Sequence, residues 1–212
     1  MMAEVRVLTH SSIRIAGKDR IIYFDPFEVR EALHDADVVF VTHDHFDHYS
    51  LKDIEKVSKE TTVLVVPESI LKKVKDARKF VCGIVSVKPK ETTIVSDIPV
   101  EAVPAYNVLK PFHPKMAGYL GYVVTVDRTR YYVAGDTDDT KDAYAVQCDT
   151  ALLPVGGKYT MDAKEAAALA NAILPSIVIP THYGSVAGEE SAGETFRKLV
   201  SPGIRAEILK EY

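Results

Sequence analysis

Cysteine is scarce in this chain of 212 residues, which has only Cys82 and Cys148. Two cysteines this far apart do not make a disulfide framework, and neither belongs to a Cys-x-x-Cys pair of the kind that binds metal or exchanges disulfides. We therefore expect both thiols to be reduced, buried and structural.

Long apolar runs are absent as well. No run approaches the roughly 18 residues that a membrane-spanning helix needs, and the first residues do not combine a basic start, an apolar stretch and a small-residue cleavage site. These absences predict a soluble, cytoplasmic protein that has no membrane partner.

An excess of basic charge is also missing, because 26 Lys and Arg residues are outnumbered by 30 Asp and Glu residues, for a formal net charge of -4. Without a basic stripe, attraction to nucleic acid is not expected, and a small-molecule substrate is favoured. Side-chain amides are limited to Asn107, Gln147 and Asn171. This shortage of heat-labile residues favours a thermophilic source.

The order of apolar segments predicts an α/β fold in a single domain, residues 1–212, which is long enough to bury a substantial core. Strand-like runs open the chain, and strands then alternate with helices. The predicted strands are residues 5–8, 13–15, 20–24, 38–41, 63–66, 122–126, 131–134, 151–154 and 177–179, with further short strands between 84 and 103. The predicted helices are residues 28–33, 51–58 and 162–173, and one that begins after Glu68.

The densest group of polar side chains is the hexapeptide His43-Asp44-His45-Phe46-Asp47-His48. It follows the β-branched run 38–41 and precedes Ser50, a predicted helix N-cap. In a loop leaving the carboxyl end of a strand, these imidazoles and carboxylates can converge on a metal, zinc being favoured over iron or manganese. A solvated histidine-rich loop is the alternative, but three of the seven histidines fall within six positions.

The pattern His-x-His-x-Asp-His resembles the signature of the metallo-β-lactamase superfamily. Residues 134–137 resemble its Gly-Asp motif, and residues 179–184 resemble its final histidine motif. Residues 9–12, 23–26 and 154–162 resemble the small-domain branch that includes ascorbate-phosphate lactonase-like proteins and metal-dependent hydrolases. The resemblance covers essentially the whole chain and implies a four-layer αβ/βα sandwich with its metal loops at one edge.

The resemblance also implies a set of metal ligands. They form a first group, a second group and a bridging carboxylate: His43 and His45; Asp47, His48 and His182; and Asp136. It implies two Zn2+ ions, with Mn2+ or Fe2+ as alternatives, and either aspartate of the set, Asp47 or Asp136, as the catalytic group that orients a hydroxide. By residue type alone, Asp136 also fits a turn or a helix N-cap, and His182 also fits a histidine at a strand end.

The chain departs from the family pattern at Asn107, where the resemblance implies a further histidine for the first metal. An amide oxygen is a weaker zinc ligand than an imidazole, so this substitution would loosen the site or change its metal preference. Six residues later, His113 lies between two prolines. We expect His113 to be the replacement ligand; a general acid, a substrate contact and an ordinary surface histidine are the alternatives.

Four further residues are candidates for the surroundings of the metals. His10 follows the first strand and is expected near the site as a substrate-facing or supporting group, although a turn position would explain it nearly as well. Asp25 can orient a ligand imidazole through its other nitrogen, with a turn aspartate as the alternative. Lys158 and Tyr159 are expected to line the substrate cleft, since Gly156-Gly157-Lys158 lacks the spacing of a nucleotide-binding loop.

The function implied is that of a metal-dependent hydrolase, which uses a metal-held hydroxide on a small ester, lactone or phosphodiester. An anionic lactone or ester is the favoured substrate class, followed by phosphodiesters. The alternative is a non-catalytic metal- or ligand-binding protein that retains the hydrolase fold. Asn107 keeps this alternative open, because an incomplete first site would bind fewer than two metals.

Overall fold

The computed structural model describes residues 3–211, and in this part of the chain it contains thirteen β-strands and four α-helices. The strands are β1 (Glu4–Thr9), β2 (Ser12–Ala16), β3 (Ile21–Phe24), β4 (Ala36–Phe40), β5 (Ser58–Pro67), β6 (Gly83–Val87), β7 (Thr92–Val95), β8 (Ile98–Pro104), β9 (Leu120–Val126), β10 (Thr129–Val133), β11 (Thr150–Pro154), β12 (Ile177–Thr181) and β13 (Arg205–Ala206). The helices are α1 (Leu51–Val57), α2 (Lys141–Tyr144), α3 (Ala163–Ile173) and α4 (Ala192–Leu199). Each strand predicted by residue range overlaps one of these strands.

The strands form two sheets, ordered β1-β2-β3-β4-β5-β6 and β13-β12-β11-β10-β9-β8-β7. The first three strands of the first sheet are antiparallel and the rest are parallel. In the second sheet, β7 to β10 are antiparallel, and β10 to β13 are parallel. Two strands separated by two antiparallel pairings run in the same direction. For this reason β1, β3 and β4 end at one edge of the first sheet, and β8, β10 and β12 end at one edge of the second.

Three apolar clusters define the layers. The inner cluster joins the two sheets, and in it the Phe40 ring lies 4.8 Å from Phe24 of the same sheet and 5.2 Å from Tyr122 of the other, between ring centroids. The outer face of the first sheet packs against α1 through Ile54, and that of the second packs against α3 and against α4 through Phe196. The chain therefore has the expected order of helix, sheet, sheet and helix layers, which confirms the predicted fold class.

Helix α3 begins and ends where the sequence predicts. The Asp162 carboxylate accepts hydrogen bonds from two backbone N–H groups of the first turn at 2.8 Å, and the Glu165 carboxylate accepts one from the backbone N–H of Asp162 at 2.9 Å. This capping box satisfies donors that would otherwise be unpaired. Ala166, Leu169 and Ala170 are buried against the sheet, so the alanine-rich stripe is part of the core.

The helix predicted over residues 28–33 is wrong. The carboxylate of buried Asp53, in α1, accepts hydrogen bonds from the backbone N–H groups of Glu28 at 3.0 Å and Val29 at 3.2 Å. A carboxylate can bind such donors at the start of a helix as well, but Glu28 has a φ of 49°, in the left-handed region, so the backbone does not enter a right-handed helix here. Ser50 takes the predicted N-cap position of α1, but its hydroxyl donates to Asp53 at 2.6 Å and caps no backbone N–H.

The helix predicted after Glu68 is also wrong in type. Two short 3₁₀ segments, Glu68–Ile70 and Lys75–Lys79, occupy this connection. Ile70, Val74 and Ala77 have the spacing of a helical apolar face, and all three are buried. Their backbone bonds nevertheless join residues three apart, as in a 3₁₀ helix. The apolar pattern therefore reflects the burial of these three side chains, although the segment does not form an α-helix.

Helices α2 and α4 have no counterpart among the predicted elements. Helix α2 has four residues, and α4 buries only Gly193 and Phe196. Four residues are too few to show a period, whereas α4 does have apolar residues at helical spacing, Ala192, Phe196 and Leu199, which the sequence reasoning overlooked. The expectation for the cysteines is wrong for Cys82, which is exposed after a turn, whereas Cys148 is partly buried.

No helix within residues 3–211 is both long and apolar enough to span a membrane.

Candidate metal centre

The loop between β4 and α1 carries the hexapeptide. Asp25, just beyond β3, holds the beginning of this loop, since its carboxylate accepts hydrogen bonds from the backbone N–H of Thr42 at 2.8 Å and from the Thr42 hydroxyl at 2.7 Å. The chain then makes one tight turn, in which the His45 carbonyl accepts a hydrogen bond from the backbone N–H of His48 at 3.1 Å. The turn gathers the side chains of the hexapeptide at the strand edge.

Six of the seven histidines converge with two aspartates at this edge. They form three overlapping groups, and within each group the ligand atoms lie within 4.8 Å of one another: His43, His45 and His113; His10, Asp47, His48 and His182; and His43, His48 and Asp136. All of them except His45 are buried. The residues come from the ends of β1, β4, β10 and β12 and from the loops beyond, which is why strand direction brings them together.

The first group contains three histidines. Nε2 of His113 lies 3.1 Å from Nδ1 of His45, and the His113 ring centroid lies 4.9 Å from that of His43. His113 is only 3% exposed. This burial is inconsistent with an ordinary surface-loop histidine, and the residue lies where a third ligand to the first metal would be.

Asn107 supports the loop that carries His113. Its side-chain N–H group donates to the Phe112 carbonyl at 2.9 Å and to the Tyr159 carbonyl at 2.7 Å, and its backbone N–H donates to the His113 carbonyl at 2.8 Å. The first and the third of these hydrogen bonds hold the two ends of the loop from Asn107 to His113 together, and they thereby position His113 at the metal centre. This arrangement gives Asn107 a structural task that the sequence reasoning did not anticipate.

The second group joins both ends of the chain. Nε2 of His10 lies 3.2 Å from Oδ2 of Asp47, and the His10 ring centroid lies 3.9 Å from that of His182. The backbone N–H of His182 donates to the His10 carbonyl at 2.9 Å. Nε2 of His48 lies 3.8 Å from Oδ2 of Asp47. His10, which was expected near the site, is thus in direct contact with two of the expected ligands.

Asp136 lies between the two groups. Its Oδ1 is 3.2 Å from Nε2 of His48, and its Oδ2 is 3.1 Å from Nε2 of His182. The same Oδ2 is 3.4 Å from Nε2 of His113 and 3.9 Å from Nε2 of His43. One carboxylate therefore faces four imidazoles, two from each group, which is the arrangement that a bridging ligand requires.

Several residues of the centre have a backbone conformation in the left-handed region. The φ angles are 47° for His10, 44° for Asp25, 55° for His113 and 57° for His182. Such angles cost a non-glycine residue about 1–3 kcal/mol, and they persist where the surrounding structure holds them. Each bend turns a side chain at a strand or loop end toward the cluster.

Burial makes three of the histidines neutral. It lowers the pKa of His43 well below its ordinary value, lowers the pKa of His113, and lowers the pKa of His10 to about 4. A neutral imidazole has a free lone pair, so these rings are in the form that binds metal.

The pKa values of His48 and Asp136 are shifted so that both side chains are charged. Burial alone would lower the pKa of His48, but Asp136 and Asp25 outweigh it and raise this pKa well above its ordinary value. Burial alone would raise the pKa of Asp136, but His182 and His48 outweigh it and hold this pKa well below its usual range. The buried carboxylate thus requires a positive charge beside it, which a proton or a metal cation can supply.

Orphaned ligand atoms test whether a metal fits. Within residues 3–211, Nε2 of His43 is buried without a hydrogen-bond partner, and Nε2 of His48 and Oδ1 of Asp136 are buried 3.2 Å apart without forming a regular hydrogen bond. An unpaired buried polar group costs about 1–3 kcal/mol. A divalent cation would satisfy all three at once, so the residues present fit a metal ion.

Glycine at position 156 allows His182 to reach the centre. A Cβ at Gly156 would lie 2.4 Å from the His182 carbonyl oxygen and 3.0 Å from Nδ1 of its ring. No side chain fits in that space. The segment that superficially suggested a phosphate loop therefore has a packing role against a candidate ligand.

Tyr119 is a neighbour of the centre that the sequence reasoning missed. Its ring centroid lies 5.1 Å from that of His43, 5.9 Å from that of His45 and 6.0 Å from that of His113. Burial and the adjacent Asp44 carboxylate raise the pKa of Tyr119 to about 12. As one of eleven tyrosines, it carries no sequence signal that distinguishes it from a core residue.

The two cleft candidates lie at different depths. Lys158 is exposed, and its Nζ lies 5.0 Å from the centroid of the Tyr159 ring. Tyr159 is partly buried, and its backbone carbonyl, rather than its hydroxyl, faces Asn107 and His113. His34, the seventh histidine, is exposed and lies outside the cluster.

Comparison with known proteins agrees with this arrangement. The sequence profile of the beta-lactamase superfamily domain matches residues 4–182. The chain is similar to the UPF0173 metal-dependent hydrolase of Thermococcus onnurineus, with 31% identity over 98% of this chain and 96% of that protein. It is also similar to the UPF0173 metal-dependent hydrolase of Pyrococcus furiosus, with 32% identity over 99% of this chain and 97% of that protein.

A solved structure extends the comparison. A protein from Parabacteroides distasonis, described as a candidate metal-dependent hydrolase, superimposes with a TM-score of 0.84 at 29% identity, covering 98% of this chain and 93% of that one. The thermophilic sources of the two sequence relatives fit the expectation drawn from the scarce amides. None of these three proteins is named a lactonase, so the lactonase-like branch stays an expectation.

Proposed function

The chain belongs to the UPF0173 metal-dependent hydrolases of the beta-lactamase superfamily, and we propose that it hydrolyses a small ester, lactone or phosphodiester with two zinc ions. One observation carries the proposal: the Asp136 carboxylate lies between the first group of histidines and the group that contains His48 and His182. A carboxylate in that position can bind two cations at once, as a two-metal hydrolase requires.

The donor set supports zinc as the metal. The first ion would be held by His43, His45 and His113, the second by Asp47, His48 and His182, and Asp136 would contribute to both. Imidazole nitrogens with a few carboxylates suit zinc, and less selectively Mn2+ or Fe2+, whereas Mg2+ and Ca2+ prefer oxygen ligands.

When bound, two such ions supply a water molecule of lowered pKa and a positive charge beside the reacting oxygen. The residues of the chain determine where that chemistry takes place. Asp47 is 7% exposed, and its Oδ2 lies 3.2 Å from Nε2 of His10. Asp47 can therefore orient a water molecule, while the neutral His10 ring holds the carboxylate in position.

Metal-loaded protein assayed against an ester, a lactone and a phosphodiester tests the proposal. We expect turnover of at least one of them, and we expect Asp136→Asn to lower kcat/KM by about 100-fold or more, since the bridging charge is lost. Asp139→Asn is the matched control, because this carboxylate lies three residues away and contacts the Tyr144 hydroxyl instead of the cluster. The control should retain wild-type activity and metal content.

Two results would argue against the proposal. Asp136→Asn with wild-type turnover and two bound ions would remove the bridging role. Fewer than two ions in the wild-type protein, together with no turnover of any substrate class, would favour the non-catalytic metal-binding alternative. Thermal unfolding of each variant separates these results from misfolding.

A further inference from the structure

Several exposed large apolar side chains lie in the segments that carry candidate metal ligands. Within residues 3–211, twelve large apolar side chains are exposed, and five of them lie in the two segments that carry His45 and His113: Phe46, Val108, Leu109, Phe112 and Met116. Phe46 is 68% exposed and Leu109 is 94% exposed. Single exposed apolar residues are ordinary, but a cluster of them marks a binding surface. These five residues form what we call the apolar border.

Aromatic rings connect the apolar border to the second ligand group. Phe46 lies between His45 and Asp47 in the hexapeptide, and its ring meets the Phe27 ring edge to face, with 6.0 Å between centroids. The Phe27 ring lies 6.5 Å from that of His10, again edge to face. A group held against Phe46 would therefore lie next to the ligand loop.

A second aromatic pair adjoins the first ligand group. The Phe112 ring meets the Tyr159 ring edge to face, with 4.8 Å between centroids. The Tyr159 carbonyl lies 3.3 Å from Nδ1 of His113, and Tyr119 lies close to the same histidine. Apolar surface is thus available near both groups of ligands.

Three cationic side chains near the centre are paired with carboxylates, whereas Lys158 is exposed and lies against the Tyr159 ring. The pairs are Lys73 with Asp44, Lys110 with Asp138, and Lys115 with Asp142. Recognition of a phosphodiester or another strongly anionic group uses cations that are free to bind it. The paired charges and the apolar border both favour an apolar substrate over the anionic class expected from the sequence.

We propose that the substrate is a carboxylic ester whose acyl group is an apolar chain of about six carbon atoms or more, bound against Phe46 and Phe112. This inference rests on the proposed function, since it names the substrate class of the same site. In the reaction, the oxygen of water bonds to the acyl carbon, the acyl carbon–oxygen bond breaks, and the alcohol leaves with one proton of the water. The products are a fatty acid and an alcohol.

A series of p-nitrophenyl esters from acetate to octanoate tests the inference, because the leaving group stays constant while the acyl chain grows. We expect kcat/KM of the zinc-loaded protein to rise by about tenfold or more over the series, since each methylene group moved from water to an apolar surface contributes. Phe46→Ser and Phe112→Ser should each lower the octanoate-to-acetate ratio of kcat/KM by about threefold or more. Ile94→Ser is the matched control, because Ile94 is 70% exposed on β7, outside the apolar border.

Binding provides a readout that does not depend on turnover. By calorimetry, octanoate should bind the zinc-loaded protein more tightly than acetate, and Phe46→Ser should remove the difference. Suppose that p-nitrophenyl acetate is hydrolysed, but that neither kcat/KM nor binding favours the octanoate over the acetate. This result would overturn the inference while leaving the proposed function intact. Failure to hydrolyse any ester, with turnover of a lactone or a phosphodiester, would also overturn the inference and leave the proposed function intact, whereas no turnover of any of the three classes would count against both.

A second copy of the chain is the competing occupant of the apolar border. Sedimentation of wild type, Phe46→Ser and Phe112→Ser at micromolar concentration distinguishes the two. Conversion of a wild-type dimer to a monomer by both substitutions would mean that a second copy covers the border, which would overturn the inference. An oligomeric state that both variants leave unchanged supports the substrate.

Discussion

Asp25 accepts a hydrogen bond at 2.7 Å from Nδ1 of His48, and both side chains are completely buried. The contact fixes the His48 ring and leaves Nε2 facing Asp136, at 3.2 Å from its Oδ1. A carboxylate on the second ring nitrogen is a common partner of a metal-binding histidine, because it selects the tautomer and strengthens the donor. Asp25 thus lies where the sequence reasoning expected an orienting group.

Asp25→Asn should weaken metal binding. The amide cannot supply the negative charge, so the His48 ring becomes a poorer donor, and loss of such a partner typically costs about 10–100-fold in affinity. Competition with a chelator measures the zinc affinity. Asp35→Asn is the control, since Asp35 binds Arg14 and Tyr23 away from the centre. Equal affinity in wild type and Asp25→Asn would mean that Asp25 only supports the loop through Thr42.

His113→Ala and Asn107→Ala should have different effects. Loss of the His113 imidazole should lower the metal content from about two ions per chain to about one, since the first group keeps only two histidines. Asn107→Ala leaves the Phe112 and Tyr159 carbonyls without their donor, so we expect about 1–3 kcal/mol less stability with two ions still bound. Elemental analysis and chemical unfolding measure both effects. An ion lost in Asn107→Ala but kept in His113→Ala would make the asparagine the ligand.

Tyr119 should act through its ring. Tyr119→Ala removes the surface against which His43, His45 and His113 pack, and we expect the affinity of the first site for zinc to fall by about tenfold or more, a loss typical of supporting residues around a metal. Tyr119→Phe keeps the ring and removes only the hydroxyl beside Asp44, so its affinity should stay close to that of wild type. A loss of equal size in both variants would assign the effect to the hydroxyl instead.

The sequence was sufficient for the fold because the apolar runs are local and dense. Runs such as 38–41 and 151–154 fall within buried strands, or reach one residue beyond them, and Asp162 caps the helix that follows it. The helix expected over 28–33 failed for a non-local reason, since Asp53, more than twenty residues away, binds the backbone in a loop conformation in which Glu28 has a φ of 49° instead of a helical value. A local pattern contains no information about such a competitor.

The candidate site also contains residues that the sequence could predict and residues that it could not. The hexapeptide was recognisable because its donors are adjacent in sequence, and His113 because histidine is rare in this chain. Tyr119 and Phe27 are ordinary aromatic residues by sequence, and only the packing of distant segments brings them to the ligands. The contribution of Asn107 likewise depends on carbonyls that the fold places beside it, five residues and 52 residues further along the chain.

The two cysteines should differ in reactivity toward a thiol reagent. Burial, together with the neighbouring Asp149 carboxylate, raises the pKa of the Cys148 thiol to about 12, whereas Cys82 is exposed. At pH 8 a thiol with that pKa is about one part in ten thousand thiolate, and the thiolate is the form that reacts. Iodoacetamide at pH 8, followed by mass analysis of peptides, should therefore modify Cys82 first and Cys148 slowly. In denaturant both should react at similar rates, because the burial that raises the Cys148 pKa is lost. Fast modification of Cys148 in the folded protein would show that its site opens readily to solvent.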